Sequence, residues 1–493
     1  MLRGMAWQTS RRAGSARASL LVRTATADLR QPAIGFAAIC LGYFAIILDG
    51  SVLNVAVPAI RASLHSSLAS AQWVLNAYTL TLAGLLLTAG ALGDRIGLRR
   101  MFLFGVVVFT AASAACAAAP TILVLVVARV VQGLGAAALL PATLALIPYL
   151  FRDPEGRARA AVVWVGIGAG AVAVGPLVGG LLIDAFGWRS VFLINLPIGV
   201  VSALLARLSI AETPRHPRGV DRFGQATAIA AMALVTAAVI HGGESGWASA
   251  LTIGTFLAGI LVAVAFWQGE HRIPEPMLPP AFFANRARTV AVTSAALMGF
   301  LFYGTLFLMS LYFQEVRGWS PGSTGIGLLP LTVGTLAGPF LIYRRLSRRF
   351  GHPVLLVAGF ACCALGVGVL APTDARTAYV LIALGLLLLG LASTVSFSAL
   401  TSLLLGSVSA EHSGLASGVQ NTTRQAGALM SVSILGAVLN ADSIAARLPA
   451  AFAVLGVVVV LAIAISSLAL GGRAGTRASS AQAPMTPGAP EPR

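Results

Sequence analysis

Long apolar segments, separated by short polar links, follow one another from about residue 33 to about residue 470. A helix needs roughly 20 apolar residues to cross the hydrocarbon core of a bilayer, where it satisfies its own backbone hydrogen bonds. The pattern therefore predicts an all-α integral membrane protein with 14 transmembrane helices. The predicted spans are 33–60, 70–92, 101–119, 121–149, 160–183, 190–210, 224–241, 249–267, 290–314, 322–343, 353–371, 377–404, 414–439 and 448–470.

The predicted spans form two sets of six with two extra helices between them. A weak repeat supports this pairing, since the link GDRIGLRR from Gly93 is echoed in SRRFGHP from Ser347. Paired halves are a common transporter architecture. The predicted parts are a basic cytoplasmic tail at 1–32, a six-helix bundle at 33–210, two linking helices with cytoplasmic loops at 211–289, a second six-helix bundle at 290–470, and a disordered cytoplasmic tail at 471–493.

Arginine is distributed unevenly between the links, which gives a test of orientation that is independent of hydropathy. With the N-terminus inside, 17 Arg fall in cytoplasmic links and adjoining span ends, and five fall in outer links. Because cytoplasmic loops are enriched in basic residues, both termini are predicted to be cytoplasmic and the number of spans to be even. The first span is too long for a cleaved signal peptide and is predicted to remain as a helix.

Composition narrows the function classes. The chain is 57% hydrophobic and 10% charged, and its net charge of +17 comes from Arg located mainly between spans, so no nucleic-acid partner is expected. The chain has no Lys, which the phosphate-binding loop of ATPases requires, so an ion gradient is the expected energy source. The four Cys and six His have no spacing typical of a metal site, a disulfide framework or a catalytic triad. No cofactor, metal or enzymatic activity is therefore expected.

Asp49 is the only acidic residue that lies well inside an apolar segment. An ionisable group near mid-bilayer costs about 2.5–3.5 kcal/mol on insertion scales, so the default interpretation is functional. Arg129 is predicted as its partner, because at about 1.5 Å per residue the two lie at similar depths from the outer surface. A carboxylate beside a guanidinium could couple transport to protons. The alternative is a carboxylate that merely bonds a neighbouring helix.

Four polar or aromatic residues are candidates for a substrate cavity. Gln132, one turn from Arg129 on the same helix face, could bond either partner or a substrate. Tyr303 and Phe307 lie one turn apart in the aromatic-rich ninth span, although most such residues simply pack. Asn54 of the first span completes the predicted set.

The link GALGDRIGLRR after the second span combines small residues, an acid and clustered Arg. Asp94 could accept from Arg side chains or from helix N-terminal amides and form a latch that a conformational change breaks. An ordinary positively charged cytoplasmic loop is the alternative interpretation. The predicted cytoplasmic gate comprises Gly90, Asp94, Arg95, Gly97, Arg99 and Arg100.

The fifth span has a surface almost without side chains, interrupted by a proline. Glycines allow backbones to pack closely, and proline bends a helix, so a hinge or a tight seal is predicted. The residues concerned are Gly166, Gly170, Gly175, Pro176, Gly179 and Gly180.

Several motifs together resemble those of the major facilitator superfamily, in its fourteen-helix drug:proton antiporter branch. The similar stretches are LDGSVLNVAVP from Leu48, GALGDRIGLRR from Gly90, RVVQGLGAA from Arg129, GIGAGAVAVGPLVGG from Gly166, WRSVFLINLPIG from Trp188, YFQEVRGWSPGSTGIGLLP from Tyr312 and SGLASGVQNTTRQAG from Ser413. The resemblance implies that Asp49 and Arg129 act in proton coupling, that Asp94 and Arg95 belong to a gate, and that Gly175 and Pro176 form the antiporter bend. Leu98 departs from the pattern, which usually has a basic residue there.

The resemblance implies a multi-pass antiporter of the bacterial inner membrane that rocks two six-helix bundles. Inward protons would be exchanged for an outward small lipophilic compound such as a drug or antibiotic, and the protein is expected to act as a monomer. An importer or uniporter of a metabolite on the same fold is the nearest alternative. A membrane enzyme or sensor is the alternative from another class, and it is disfavoured because no catalytic cluster is present in the sequence.

Overall fold

The computed structural model describes residues 2–215, 221–274, 276–409, 412–440 and 443–470, with side chains described from residue 32 onward except at 340. The predicted tail at 471–493 lies outside the described residues. All regular elements within these ranges are helical. The helices are α1 (Leu2–Leu64), α2 (Leu68–Ile96), α3 (Leu98–Ala118), α4 (Ile122–Ala145), α5 (Ile147–Leu150), α6 (Pro154–Phe186), α7 (Ser190–Leu193), α8 (Asn195–Ser209), α9 (Arg222–Ser245), α10 (Ala250–Glu270), α11 (Arg286–Leu311), α12 (Pro321–Gly327), α13 (Leu329–Ala337), α14 (Arg344–Leu346), α15 (His352–Leu370), α16 (Tyr379–Leu405), α17 (Ser413–Leu439) and α18 (Ile444–Ser467).

Twelve helical stretches in the described residues are long and apolar enough to cross a membrane. They correspond to twelve of the fourteen predicted spans and include the two extra helices, α9 and α10. The all-helical membrane architecture agrees with the sequence prediction, whereas the count of fourteen spans is not confirmed.

The two remaining predicted spans differ from the others for separate reasons. The span predicted at 322–343 is divided among α12, α13 and a π-helical segment at Gly338–Tyr343. Proline stands at the first positions of α13 and of that segment, where its missing N–H is tolerated but a single continuous α-helix is disfavoured. The span predicted at 414–439 is the unbroken helix α17, whose first half carries the polar run QNTTRQ from Gln420 to Gln425. Its composition therefore excludes it from the twelve.

The described chain forms two compact units. The first comprises Met1–Ala233 with Trp319–Ile326, and the second comprises Leu234–Gly318 with Gly327–Arg493. In the first unit α1 packs against α4, α6 and α8, while α3 packs against α4 and α8. Phe102, Phe109 and Leu139 are among the fully buried residues of its core. This packing places the polar positions of α1, α4 and α8 beside one another.

In the second unit, α11 lies at the centre of the helix packing. It contacts α16, α17 and α18, and α15 packs against α16 and α18. Small residues allow α11 and α17 to approach closely, since a Cβ added at Gly299 would overlap the carbonyl of Arg424 and one added at Gly427 would overlap the carbonyl of Ala296. The backbone around Arg424 is therefore fixed against α11.

Candidate functional site

The structure brings together the two charged residues that the sequence places deep in the first unit. Asp49 of α1 and Arg129 of α4 form an ion pair in which Nη1 of Arg129 lies 2.5 Å from Oδ2 of Asp49. Their side chains are 0% and 1% exposed, respectively. Because both charges are removed from water, each depends on the other and on hydrogen bonds for compensation.

Three neutral side chains complete a network around the carboxylate. Nε2 of Gln132 and Nδ2 of Asn195 each donate to Oδ1 of Asp49 at 2.9 Å. Gln132 also donates to the Ser113 hydroxyl oxygen at 2.9 Å. Asp49 thus receives hydrogen bonds from α4 and α8 in addition to the guanidinium, so one carboxylate links three helices.

The guanidinium is held as firmly as the carboxylate. Nε of Arg129 donates to the carbonyl of Val74 at 3.0 Å, and Nη1 donates to Oε1 of Gln132 at 2.7 Å. The guanidinium carbon lies 4.0 Å from the centre of the Tyr78 ring, which adds a cation–π contact. Arg129 is therefore positioned by α2 as well as by its own helix.

This network can exist in two charge states because a carboxylate can bind one proton. Protonation of Asp49 would remove the negative charge that compensates Arg129 and would convert one oxygen from an acceptor into a donor. A buried guanidinium without its counter-charge is costly. No group of three or more His, Cys, Asp or Glu that could hold a metal occurs in the described residues.

Of the other residues predicted for a substrate cavity, Asn54 belongs to the first unit, and Tyr303 and Phe307 belong to the second. Asn54 is buried, and its Nδ2 donates to the carbonyl of Gly50 in the preceding turn at 3.1 Å. Phe307 in α11 is fully buried in the second unit. Tyr303, also in α11, is half-buried, and its hydroxyl accepts a hydrogen bond from Nη1 of Arg424 at 3.2 Å.

Sequence reasoning missed Asn195, Ser113 and Arg424. Asn195 and Ser113 are uncharged and give no distinctive signal within an apolar segment, although INLPIG was part of a recognised motif. Arg424 lies in the polar run of α17, inside a segment that was counted simply as a span. A search for every Arg inside a predicted span, rather than in the first half alone, would have found it.

The residues of the predicted cytoplasmic gate lie at the junction of α2 and α3. Gly97 has φ of 104°, a left-handed region that favours glycine, and it allows the sharp change of direction. Nε of Arg100 lies 3.0 Å from Oε2 of Glu212, Arg99 donates to the carbonyl of Arg207, and the Leu98 amide donates to the Thr213 hydroxyl. Gly90 and Asp94 are half-buried in α2, and Arg95 is exposed. The link is thus attached to the last turn of α8 and to the chain that follows it.

The glycines of the fifth predicted span, in α6, fall into two groups. A Cβ added at Gly175 would overlap the Ser51 hydroxyl, one at Gly179 would lie 2.8 Å from Val52 Cγ1, and one at Gly180 would overlap the carbonyl of Pro321. Gly166 and Gly170 have no such neighbour within 4 Å. Pro176 lies inside α6, which continues to Phe186.

One end of α6 is also hydrogen-bonded to the start of α12 and to the residue that precedes it. Oδ2 of Asp184 accepts hydrogen bonds from the Gly322 amide and the Ser320 hydroxyl, both at 2.9 Å. The close glycine contacts and these hydrogen bonds together attach the second half of α6 to α1 and to the start of α12.

Comparisons with known proteins place this architecture in a family. The family model of the Major Facilitator Superfamily matches residues 39–432. The chain is 34% identical to the methylenomycin A resistance protein of Streptomyces coelicolor, over 82% of this chain and 85% of the relative. It is 35% identical to the multidrug resistance protein Stp of Mycobacterium tuberculosis, over 81% of this chain and 74% of that protein. It is also 35% identical to the tetracenomycin C resistance and export protein of Streptomyces glaucescens, over 82% of this chain and 75% of that protein.

The solved structures agree at the level of the fold. The POT family transporter PepTSo is 15% identical to this chain and superposes with a TM-score of 0.64, covering 90% of this chain and 98% of that structure. The resemblance drawn from the sequence motifs is confirmed. The chain belongs to the Major Facilitator Superfamily and is a membrane transporter, not an enzyme.

Proposed function

We propose that this transporter is a proton-coupled exporter of small lipophilic compounds such as drugs or antibiotics. The relatives' names, which refer to resistance and export, support the direction of transport and the substrate class. The observation that carries the coupling is the ion pair of Asp49 and Arg129, which is fully buried in helices apolar enough to cross a membrane. A charged pair is costly to bury there, so its presence by default indicates a functional role.

The proposed coupling uses the proton on Asp49 as the switch. In the charged state, the carboxylate binds Arg129, Gln132 and Asn195 and joins α1, α4 and α8. When a proton arrives from outside, the ion pair loses its attraction and the three helices are released from this arrangement. Release of this proton into the cytoplasm restores the ion pair. Inward movement of the proton thereby drives outward movement of the compound.

The proposed location is the bacterial inner membrane, with both termini in the cytoplasm and the protein acting as a monomer. The link between α2 and α3 would serve as the cytoplasmic gate, and the glycine-rich face of α6 as the antiporter helix. The close packing of Gly175 on Ser51 supports the second role, because this contact lies two residues from Asp49 in the same helix.

Inverted membrane vesicles test the proposal directly. Respiration acidifies their interior, so a proton-driven exporter should accumulate ethidium inside, and nigericin should abolish the accumulation. A uniporter would equilibrate the dye without a pH gradient, and a proton-coupled importer would move it outward. Asp49→Asn should insert normally yet lose gradient-driven accumulation, because Asn cannot cycle a proton.

A second carboxylate provides the matched control for this substitution. Glu155 lies at the start of α6, and its side chain is 76% exposed. Glu155→Gln removes one negative charge without touching the buried network, so transport should stay close to wild type. Undiminished accumulation by Asp49→Asn would refute the coupling role.

A further inference from the structure

Arg424 is a second cation in the interior of a long helix, and its half-buried environment differs from that of Arg129. It lies near the middle of α17, in the second unit. Its only hydrogen bond in the described part of the chain is the one that Nη1 donates to the Tyr303 hydroxyl at 3.2 Å. Nε is buried without a hydrogen-bond partner, and no ion pair to a described acidic residue is formed. Arg129, by contrast, is paired with a carboxylate and bonded to two further oxygens.

The helices around Arg424 contain no counter-charge. Its own helix, α17, packs against α11, α16 and α18, and none of these four sequences includes Asp or Glu. Two aromatic rings lie close instead, with the guanidinium carbon 5.8 Å from the centre of the Tyr303 ring and 6.0 Å from that of Phe397. The guanidinium is half-buried, and the helices that pack against α17 contribute no anion that would compensate its charge.

The packing of α17 fixes the backbone from which this cation extends, and that position lies well away from either end of the helix. Gly299 brings the backbone of α11 against Arg424 itself, and Gly427, three residues further along α17, brings α17 against Ala296 of α11. The side chain then extends along α11 to Tyr303, one helical turn beyond Gly299. A pre-positioned guanidinium with free N–H groups, a hydroxyl and two aromatic faces is a recognised combination for an aromatic or lipophilic acid.

We propose that Arg424 and Tyr303 bind the acidic group of an exported compound, so that lipophilic monoanions, above all carboxylates, are a substrate class of this transporter. The proposal rests on the export function proposed above. The guanidinium N–H groups would donate to the carboxylate, the Tyr303 hydroxyl would donate to a second oxygen, and the rings of Tyr303 and Phe397 would pack against the apolar body.

A binding titration with two matched probes tests the assignment without requiring transport. The probes are 1-pyrenebutyrate, a lipophilic monoanion, and 1-pyrenebutanol, its neutral analogue, and pyrene fluorescence is measured with the full-length protein in nanodiscs. Wild type should bind the acid more tightly than the alcohol. Arg424→Gln should weaken binding of the acid by roughly tenfold or more and binding of the alcohol by less than about twofold, as expected for loss of a charge-assisted hydrogen bond. Arg424→Lys keeps the positive charge but loses the paired N–H donors of the guanidinium, so its affinity for the acid should lie between those of wild type and Arg424→Gln.

The control variant is Arg447→Gln, which removes one positive charge from an exposed position at the start of α18 and should change neither affinity. Equal wild-type affinity for acid and alcohol would overturn the proposal. So would an equal loss of both probes in Arg424→Gln with wild-type thermal stability, because that result assigns Arg424 a structural role.

Vesicle transport separates this proposal from the function on which it depends. Gradient-driven movement of 1-pyrenebutyrate should occur in wild type and in Arg447→Gln and should be lost in Arg424→Gln, whereas ethidium accumulation by wild type reports the export function itself. Absence of gradient-driven movement of every probe in wild type would refute the proposed export function. The binding titration would still decide the role of Arg424.

Discussion

The ion pair of Asp49 and Arg129 allows a quantitative prediction from a double-mutant cycle. Removing one partner of a buried pair leaves the other charge uncompensated, which typically costs about 3–5 kcal/mol. Asp49→Asn should lie near the lower end, about 3 kcal/mol, because the amide oxygen can still accept from Gln132 or Asn195. Arg129→Gln should cost at least as much, since it also removes the hydrogen bond to the Val74 carbonyl.

The double variant Asp49→Asn/Arg129→Gln should be no less stable than the less stable single variant. It contains no buried charge at this site, so the penalty that both single variants share is absent. The expected coupling free energy is therefore about 3 kcal/mol, well above the approximately 0.5 kcal/mol within which independent sites add.

Unfolding of the purified protein in mixed micelles by increasing SDS, followed by tryptophan fluorescence, measures the four free energies. A parallel cycle on Glu155 and Arg159 is the control, because that pair is 76% and 75% exposed and should couple by less than about 1 kcal/mol. Additive losses in the Asp49 and Arg129 cycle would refute the view that each charge compensates the other.

Three further predictions concern packing, hydrogen bonding and substrate charge. Gly175→Leu should abolish dye resistance in cells at wild-type expression, because the new side chain would collide with Ser51. Gly170→Leu should leave resistance intact, because a Cβ at Gly170 has nothing within 4 Å. Equal effects of the two substitutions would contradict a special role for the contact at Gly175. Asn195→Leu should lower stability by about 1–3 kcal/mol in the same SDS titration, because Asp49 loses a donor, and an unchanged midpoint would contradict the hydrogen-bond assignment. Dicationic dyes should be exported less well than matched monocationic dyes in the vesicle assay, because Asp49 is the only acidic residue that the sequence places well inside an apolar segment and a second positive charge would lack compensation. Better export of the dication would refute this.

The helices were largely predictable from the sequence, for a physical reason. A chain in a bilayer must satisfy its backbone within each segment, so a long apolar run is a strong signal for a helix. The signal weakens where the chain has other constraints. Pro330 and Pro339 divide the tenth predicted span, and the polar run in α17 makes that helix unlike a simple span. Hydropathy registers the polar run, but it gives no account of the breaks at the two prolines.

The candidate site was predictable only where charge made the residues conspicuous. Asp49 and Arg129 stood out because ionised groups are rare in apolar segments, and their similar depths suggested a contact. Asn195 and Ser113 are neutral and inexpensive to bury once hydrogen-bonded, so a single sequence offers no way to select them from other polar residues in helices. Their roles depend on which helices pack together, and only the fold supplies that information.

The turn of α1 from Asp49 to Val52 joins the two features that the family resemblance treated separately. Asp49 contacts α4 and α8 through the ionic network, while Ser51 and Val52 contact α6 at Gly175 and Gly179. A glycine contact has no side chain that could adjust, so a displacement of this turn must shift α6 or break the contact. A change of charge on Asp49 and a change of volume at Gly175 therefore act on the same turn of α1. For this reason Asp49→Asn and Gly175→Leu are expected to impair the same transport step through different physical causes.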